Sequence, residues 1–249
     1  MSLLLSRGIP SQSSKFKILY SNYRNLASHA YVPPSIHPSS SSPSSSSISS
    51  IPKEATMSTP DLNPDQRKLV DSIIRVDQAG ELGANWIYRG QKWAMDLKGD
   101  KVTSKQVEEM WENERHHLTT LSHLQVQHRA RPTLLYPLWQ VMAFSLGAGT
   151  GLMSKEAAMA CTEAVETVIG EHYDDQLNSL QPLLSPADGS APHPSLPLMA
   201  KILEEFRDDE LEHLDTAVEE GAQKAPGHSL LSAIIGAGCK VAIKVCEKV

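Results

Sequence analysis

The chain has 249 residues, 40% hydrophobic and 21% charged, enough for one well-buried domain with a tail or for two small domains. Its net charge of −6 is unevenly spread: residues 1–53 carry Arg7, Lys15, Lys17, Arg24 and Lys53 and no acid, so the remainder is more acidic than the whole and ill suited to nucleic acid. Cys161, Cys239 and Cys246 show neither a pairing pattern nor metal-ligand spacing, which argues against a disulfide framework and a thiolate zinc site.

Residues 1–58 read as a processing segment. They open on Leu3-Leu4-Leu5, are rich in Ser and basic residues, and fit a mitochondrial transit peptide followed by a disordered Ser-rich linker, Ser39 to Ser50. The folded domain is expected over 59–249. Its periodicity is helical, with no alternating strand pattern. A first helix is expected from Pro64 to Leu97, with Val70, Ile73, Ile74, Ala84 and Tyr88 on its apolar face and Lys98-Gly99-Asp100 as its stop. A second spans about Ser104 to His128 and ends before Pro132. Residues 132–154 contain no charge and are long enough to cross a bilayer, but Pro137, Gly147, Gly149 and Gly151 interrupt them. The expectation there is a helix over 137–147 and then a glycine-rich turn. Ser154 caps a helix running to about Leu180, residues 181–195 form a Pro/Ser loop, and a helix follows from Leu196 to Gly221. A last, largely apolar helix covers Ser229 to Lys248.

One polar pattern occurs twice. Glu81 is followed on the next helix by Glu114-x-x-His117, and Glu166 by Glu210-x-x-His213. Residues three apart on a helix share a face, so each Glu-x-x-His aims a carboxylate and an imidazole at one spot. Two such hairpins, packed about a pseudo-two-fold axis, give an all-α, ferritin-like four-helix bundle with four Glu and two His converging, the ligand set of carboxylate-bridged di-iron proteins. Oxygen and imidazole donors suit iron or manganese better than copper or structural zinc. Two Glu-x-x-His matches among ten histidines are only mildly above chance. The weight comes from position: each ligand interrupts an apolar stripe, such as Met110, Trp111, Leu118 and Leu121 around Glu114. Unpaired buried carboxylates there would be costly without cations. His116, His123, His128, His193 and His228 lack such a setting and read as surface residues.

Beyond the ligand pattern, RVDQAGELGANWIYRGQ, MWENERHHL, RPTLLYPLWQVMAFSLGAGTGLMSKEAAMACTEAVE and FRDDELEHLD resemble the mitochondrial 5-demethoxyubiquinone hydroxylases of ubiquinone biosynthesis, over about Asp65 to Val249. The resemblance implies metal and catalytic roles for Glu81, Glu114, His117, Glu166, Glu210 and His213, two Fe ions, and hydroxylation of demethoxyubiquinone by O2. It also implies electrons from NADH, although GAGTG at 147–151 lacks the strand a dinucleotide loop needs. Tyr173, two turns beyond Glu166, and His172 fit either a quinone pocket or an electron or proton relay, and a buried tyrosine with one hydrogen bond accounts for the spacing equally well. Asp77 and Asp209 are candidates to orient ligand histidines, with a solvated helix charge as the competing account.

A polyprenyl quinone is insoluble, so residues 132–154 and the last helix are expected as two additional apolar helices at the membrane interface, peripheral on the matrix side of the mitochondrial inner membrane. The same surfaces could instead bind a lipid-binding protein partner or a multienzyme complex of ubiquinone synthesis, cover each other, or form a homo-oligomer contact. Two other functions share the ligand pattern: ferritin- or rubrerythrin-like iron handling, and a non-catalytic scaffold for quinone synthesis.

Overall fold

The computed structural model describes residues 51–249. The transit-peptide expectation and the serine run fall outside the described residues. Those that are described form α1 (Lys53–Met57), α2 (Pro64–Lys98), α3 (Lys101–His128), α4 (Tyr136–Met153), α5 (Lys155–Leu184), α6 (Ser195–Glu219), a 3-10 turn (Ala222–Lys224) and α7 (His228–Cys246), with no strand among them. The short α1 lies inside the stretch expected as linker. Ala55 is buried, and Gln127 on α3 donates its amide to the carbonyls of Ala55 and Ser58 at 3.0 Å each.

Local chemistry sets the helix ends. Asn63 accepts from the amides of Asp65 and Gln66 while Gln66 reaches back, a capping box with Pro64 at the first helical position. Gly99, at φ 75°, closes α2 in the left-handed region that glycine adopts without strain. Asp100 and Ser154 cap α3 and α5 by accepting from Thr103 and Ala157.

α2–α3 and α5–α6 are two helical hairpins that pack into the expected four-helix arrangement, and α4 and α7 lie outside it. α4 packs along α2, and α7 along α5. The expected turn at 147–151 is helix instead. A Cβ on Gly147 would lie 2.0 Å from the Ile87 carbonyl oxygen, and one on Gly90 would lie 2.4 Å from that of Phe144. These glycines bring two helix backbones into direct contact rather than breaking either of them. α5 also runs past its expected end, through Pro182, and buries Leu180 and Leu183. The end of α7 is tied to α2: buried Arg75 donates to the carbonyls of Cys246 at 2.8 Å and Glu247 at 2.7 Å. Among the described residues, α7 is the one helix long and apolar enough to cross a membrane, and little of it is buried.

Candidate metal centre

Each helix of the four-helix core sends carboxylates or imidazoles inward that could hold metal: Glu81 from α2, Glu114 and His117 from α3, Glu166 from α5, Glu210 and His213 from α6. None is more than 2% exposed. The six form two overlapping groups. Glu81, Glu114, His117 and Glu210 make one; Glu114, Glu166, Glu210 and His213 make the other; within each group the ligand atoms lie within 4.8 Å of one another. The shared members are Glu114 and Glu210, the carboxylates of the two Glu-x-x-His motifs. Two cations bridged by two carboxylates would use this geometry, each with one carboxylate and one imidazole of its own.

The polar atoms inside the cluster lack donors. Glu81 Oε2, both Glu114 oxygens, His117 Nδ1, Glu166 Oε2 and Glu210 Oε1 are buried with no hydrogen-bond partner among the described residues. Buried acceptors are ordinarily satisfied, so this surplus of oxygen and imidazole donors fits metal cations. Without metal, protons would be held in their place. Burial first, then the charge of Glu210, pushes Glu114 and Glu166 well above the usual carboxylate range. Burial opposes charge on His117, but Glu81 and Glu210 outweigh it and raise His117 to about 10. Burial likewise opposes charge on His213, and Glu210 raises it to about 9. Glu210 falls to about 2: burial resists its ionisation, and the two histidines beside it overcome that resistance.

The residues around the ligands repeat the two-fold pattern. Tyr173 donates its hydroxyl to Glu81 Oε1 at 2.6 Å, and Tyr88 donates to Glu166 Oε1 at 2.7 Å. Each tyrosine stands two turns beyond one lone glutamate and bonds the other, across the bundle. Asp209 Oδ2 lies 2.8 Å from His117 Nε2, and the Asn113 amide 3.3 Å from His213 Nε2. Phe206 stacks on His117 with ring centroids 3.9 Å apart.

Asp209 therefore stands where a partner for a ligand histidine was expected. Asp77 does not: it accepts from Gln176 at 2.6 Å and lies 3.8 Å from His172, which is not part of the cluster. His172 is partly exposed and contacts Gln176 at 2.8 Å, with no hydrogen bond to a ligand among those described. His128 is buried at the end of α3 rather than on the surface, and burial, foremost, lowers it to about 4. The sequence reading missed Tyr88 and Asn113. Both had a signal: Tyr88 follows Glu81 at the interval by which Tyr173 follows Glu166, and Asn113 precedes its motif as Asp209 does.

Comparison with known proteins covers most of the folded region. The family described as ubiquinone biosynthesis protein COQ7 matches residues 68–246. The mitochondrial 5-demethoxyubiquinone hydroxylase of Saccharomyces cerevisiae is 44% identical over 191 residues, 76% of this chain and 82% of the relative. The mitochondrial NADPH-dependent 3-demethoxyubiquinone 3-hydroxylase of Caenorhabditis elegans is 46% identical over 184 residues, 74% of this chain and 92% of the relative. The 3-demethoxyubiquinol 3-hydroxylase of Rhodospirillum rubrum is 44% identical over 187 residues, 75% of this chain and 82% of the relative.

Proposed function

The chain belongs to the ubiquinone biosynthesis protein COQ7 family, and we propose that it hydroxylates demethoxyubiquinone at a two-iron centre held by Glu81, Glu114, His117, Glu166, Glu210 and His213. The observation that carries the metal assignment is the sharing of Glu114 and Glu210 between two complete ligand groups. Iron held by these residues would supply the redox chemistry for hydroxylation by O2, in which one oxygen atom would enter the quinone ring and the other would leave as water. A reduced nicotinamide dinucleotide would supply the two electrons that this balance requires; the names of some relatives specify NADPH, where the resemblance implied NADH.

The chain's own residues prepare the centre. The Tyr88 and Tyr173 hydroxyls fix the two unshared carboxylates by donating to one oxygen of each, leaving the other oxygen for metal. Asp209 and Asn113 fix the two imidazoles with Nδ1 pointing inward. Packing around all six ligands keeps bulk water from the reacting atoms.

The uncharged helices serve the substrate. α4 and α7 cover the outer faces of α2 and α5, the helices that carry Glu81 and Glu166, so their exposed apolar sides lie one helix layer from the centre. Relatives from Saccharomyces cerevisiae and Rattus norvegicus are named mitochondrial, and these exposed apolar sides support a peripheral position at the inner-membrane surface, where a polyprenyl quinone would reside.

Quinone extraction tests the assignment. Cells lacking the protein should accumulate the demethoxy intermediate, and the wild-type chain should restore ubiquinone while Glu166→Ala does not. Normal ubiquinone in the deletion would sink the proposal.

A further inference from the structure

The two halves of the centre match in carboxylates and imidazoles but differ in one partner of a histidine. Each position has one glutamate of its own, shares two more, and has its own glutamate held by one tyrosine hydroxyl, at 2.6 and 2.7 Å. None of these distinguishes one half from the other. The residue that precedes each Glu-x-x-His does. Asp209, 5% exposed, meets His117 Nε2 at 2.8 Å, and the half-buried Asn113 meets His213 Nε2 at 3.3 Å.

In both histidines Nδ1 is the inward atom. His117 Nδ1 lies 3.4 Å from Glu81 and 3.3 Å from Glu210; His213 Nδ1 lies 3.1 Å from Glu114 and 3.3 Å from Glu210. With metal on Nδ1, Nε2 carries the proton and donates outward. His117 then donates to a carboxylate. His213 donates to a carboxamide, whose oxygen and nitrogen can exchange places to accept it. A carboxylate partner makes the ligating nitrogen more basic than a carboxamide partner does.

We infer that the two metal positions are unequal: the one bounded by Glu81 and His117 holds its cation more tightly than the one bounded by Glu166 and His213, and Asp209 is the positioning residue that sets the order. The inference rests on the metal-centre reading above. The tighter position is occupied first as metal becomes available, and the Glu166–His213 position is the first emptied when metal is scarce.

Repulsion weakens the second ion at any paired site, so each position must be measured alone. Glu166→Ala leaves only the His117 position complete, and Glu81→Ala only the His213 position. Metal-free full-length chains of each are titrated with Co2+ under anaerobic conditions, and bound metal is followed by visible absorption. Glu166→Ala should bind one Co2+ at least about 10-fold more tightly than Glu81→Ala does. Adding Asp209→Asn should weaken the first variant by about 10–100-fold and leave the second within about threefold. Adding Asn113→Asp to Glu81→Ala should tighten it, which tests the idea by a gain should Asp209→Asn fail to fold. Equal affinities in the two single variants, or no change with Asn113→Asp, overturn the inference while leaving a two-metal centre. A wild-type chain that binds no Co2+ overturns the centre and the inference together.

Discussion

Four carboxylates and two imidazoles sealed from water need positive charge from somewhere. In the metal-free chain it comes from protons: His117 is raised to about 10 and His213 to about 9, and Glu114 and Glu166 are pushed well above their ordinary range. Metals and protons therefore compete for the same atoms. Co2+ binding should release protons into weakly buffered solution at neutral pH, and its affinity should rise from pH 6 to 8. A flat affinity across that interval would mean that neither histidine is a ligand. The sign for folding follows from the same values. Both histidines are raised above their unfolded value, so the stability they give the metal-free chain is complete below about pH 6.5 and is lost as pH climbs through 9 to 10. The six clustered residues could be picked out in the sequence because a polar residue within an apolar stripe stands out. Tyr88 was harder to pick out, because its only signal was the seven-residue interval it shares with Tyr173, and a tyrosine on an apolar face looks like core until the helix opposite is in place. Asn113 was passed over where Asp209 was not, because a carboxamide, unlike a carboxylate, is not an obvious partner for a ligand histidine.

At the scale of the helices, the error over 132–154 is the instructive one. Glycine clusters usually mark turns, because glycine gives up the most freedom in a helix. In α4 that cost is outweighed by contact with α2, where Gly147 meets the Ile87 backbone and Gly151 meets Ala94. Sequence periodicity reports which face of a helix is apolar, not how closely a neighbouring backbone approaches. Boundaries such as the stop at Gly99 and the cap at Ser154 were readable because those residues act within a few positions of themselves. The packing of α4 on α2 was not, since it depends on residues far apart in the chain. Two alanine substitutions separate the roles of these glycines. Gly147→Ala forces a methyl group into the Ile87 carbonyl and should cost about 1–3 kcal/mol, lowering the apparent Tm by several degrees. Gly149→Ala meets nothing within 4 Å. It should leave the Tm unchanged or raise it, since alanine in a helix is favoured by about 0.5–1 kcal/mol. Equal effects from the two would refute the close-contact account.

The whole molecule leaves two apolar stripes uncovered, both on helices outside the bundle. On α7, Leu230, Ile234 and Val241 are 61–68% exposed and share one face. On α4, Leu138, Val141, Met142 and Leu152 are 45–67% exposed and also share a face. Solitary exposed apolar residues are commonplace, but aligned ones on two neighbouring helices mark a surface made to be covered. Mutual cover between α4 and α7 does not account for it, because these residues remain exposed with both helices packed on the bundle. A membrane interface accounts for the stripes and for the substrate together, since the quinone tail and the stripes would share one apolar phase. Replacing Leu230, Ile234 and Val241 together with Asp should abolish co-flotation of the purified chain with liposomes. Each charge placed in that phase costs on the order of 2–3 kcal/mol. The metal content should stay at the wild-type level, because none of the three belongs to the ligand cluster. Co-flotation that survives all three substitutions would show that α7 is not the docking face. Lost flotation with metal retained would show that the centre and its route to a lipid substrate are separable parts of one fold.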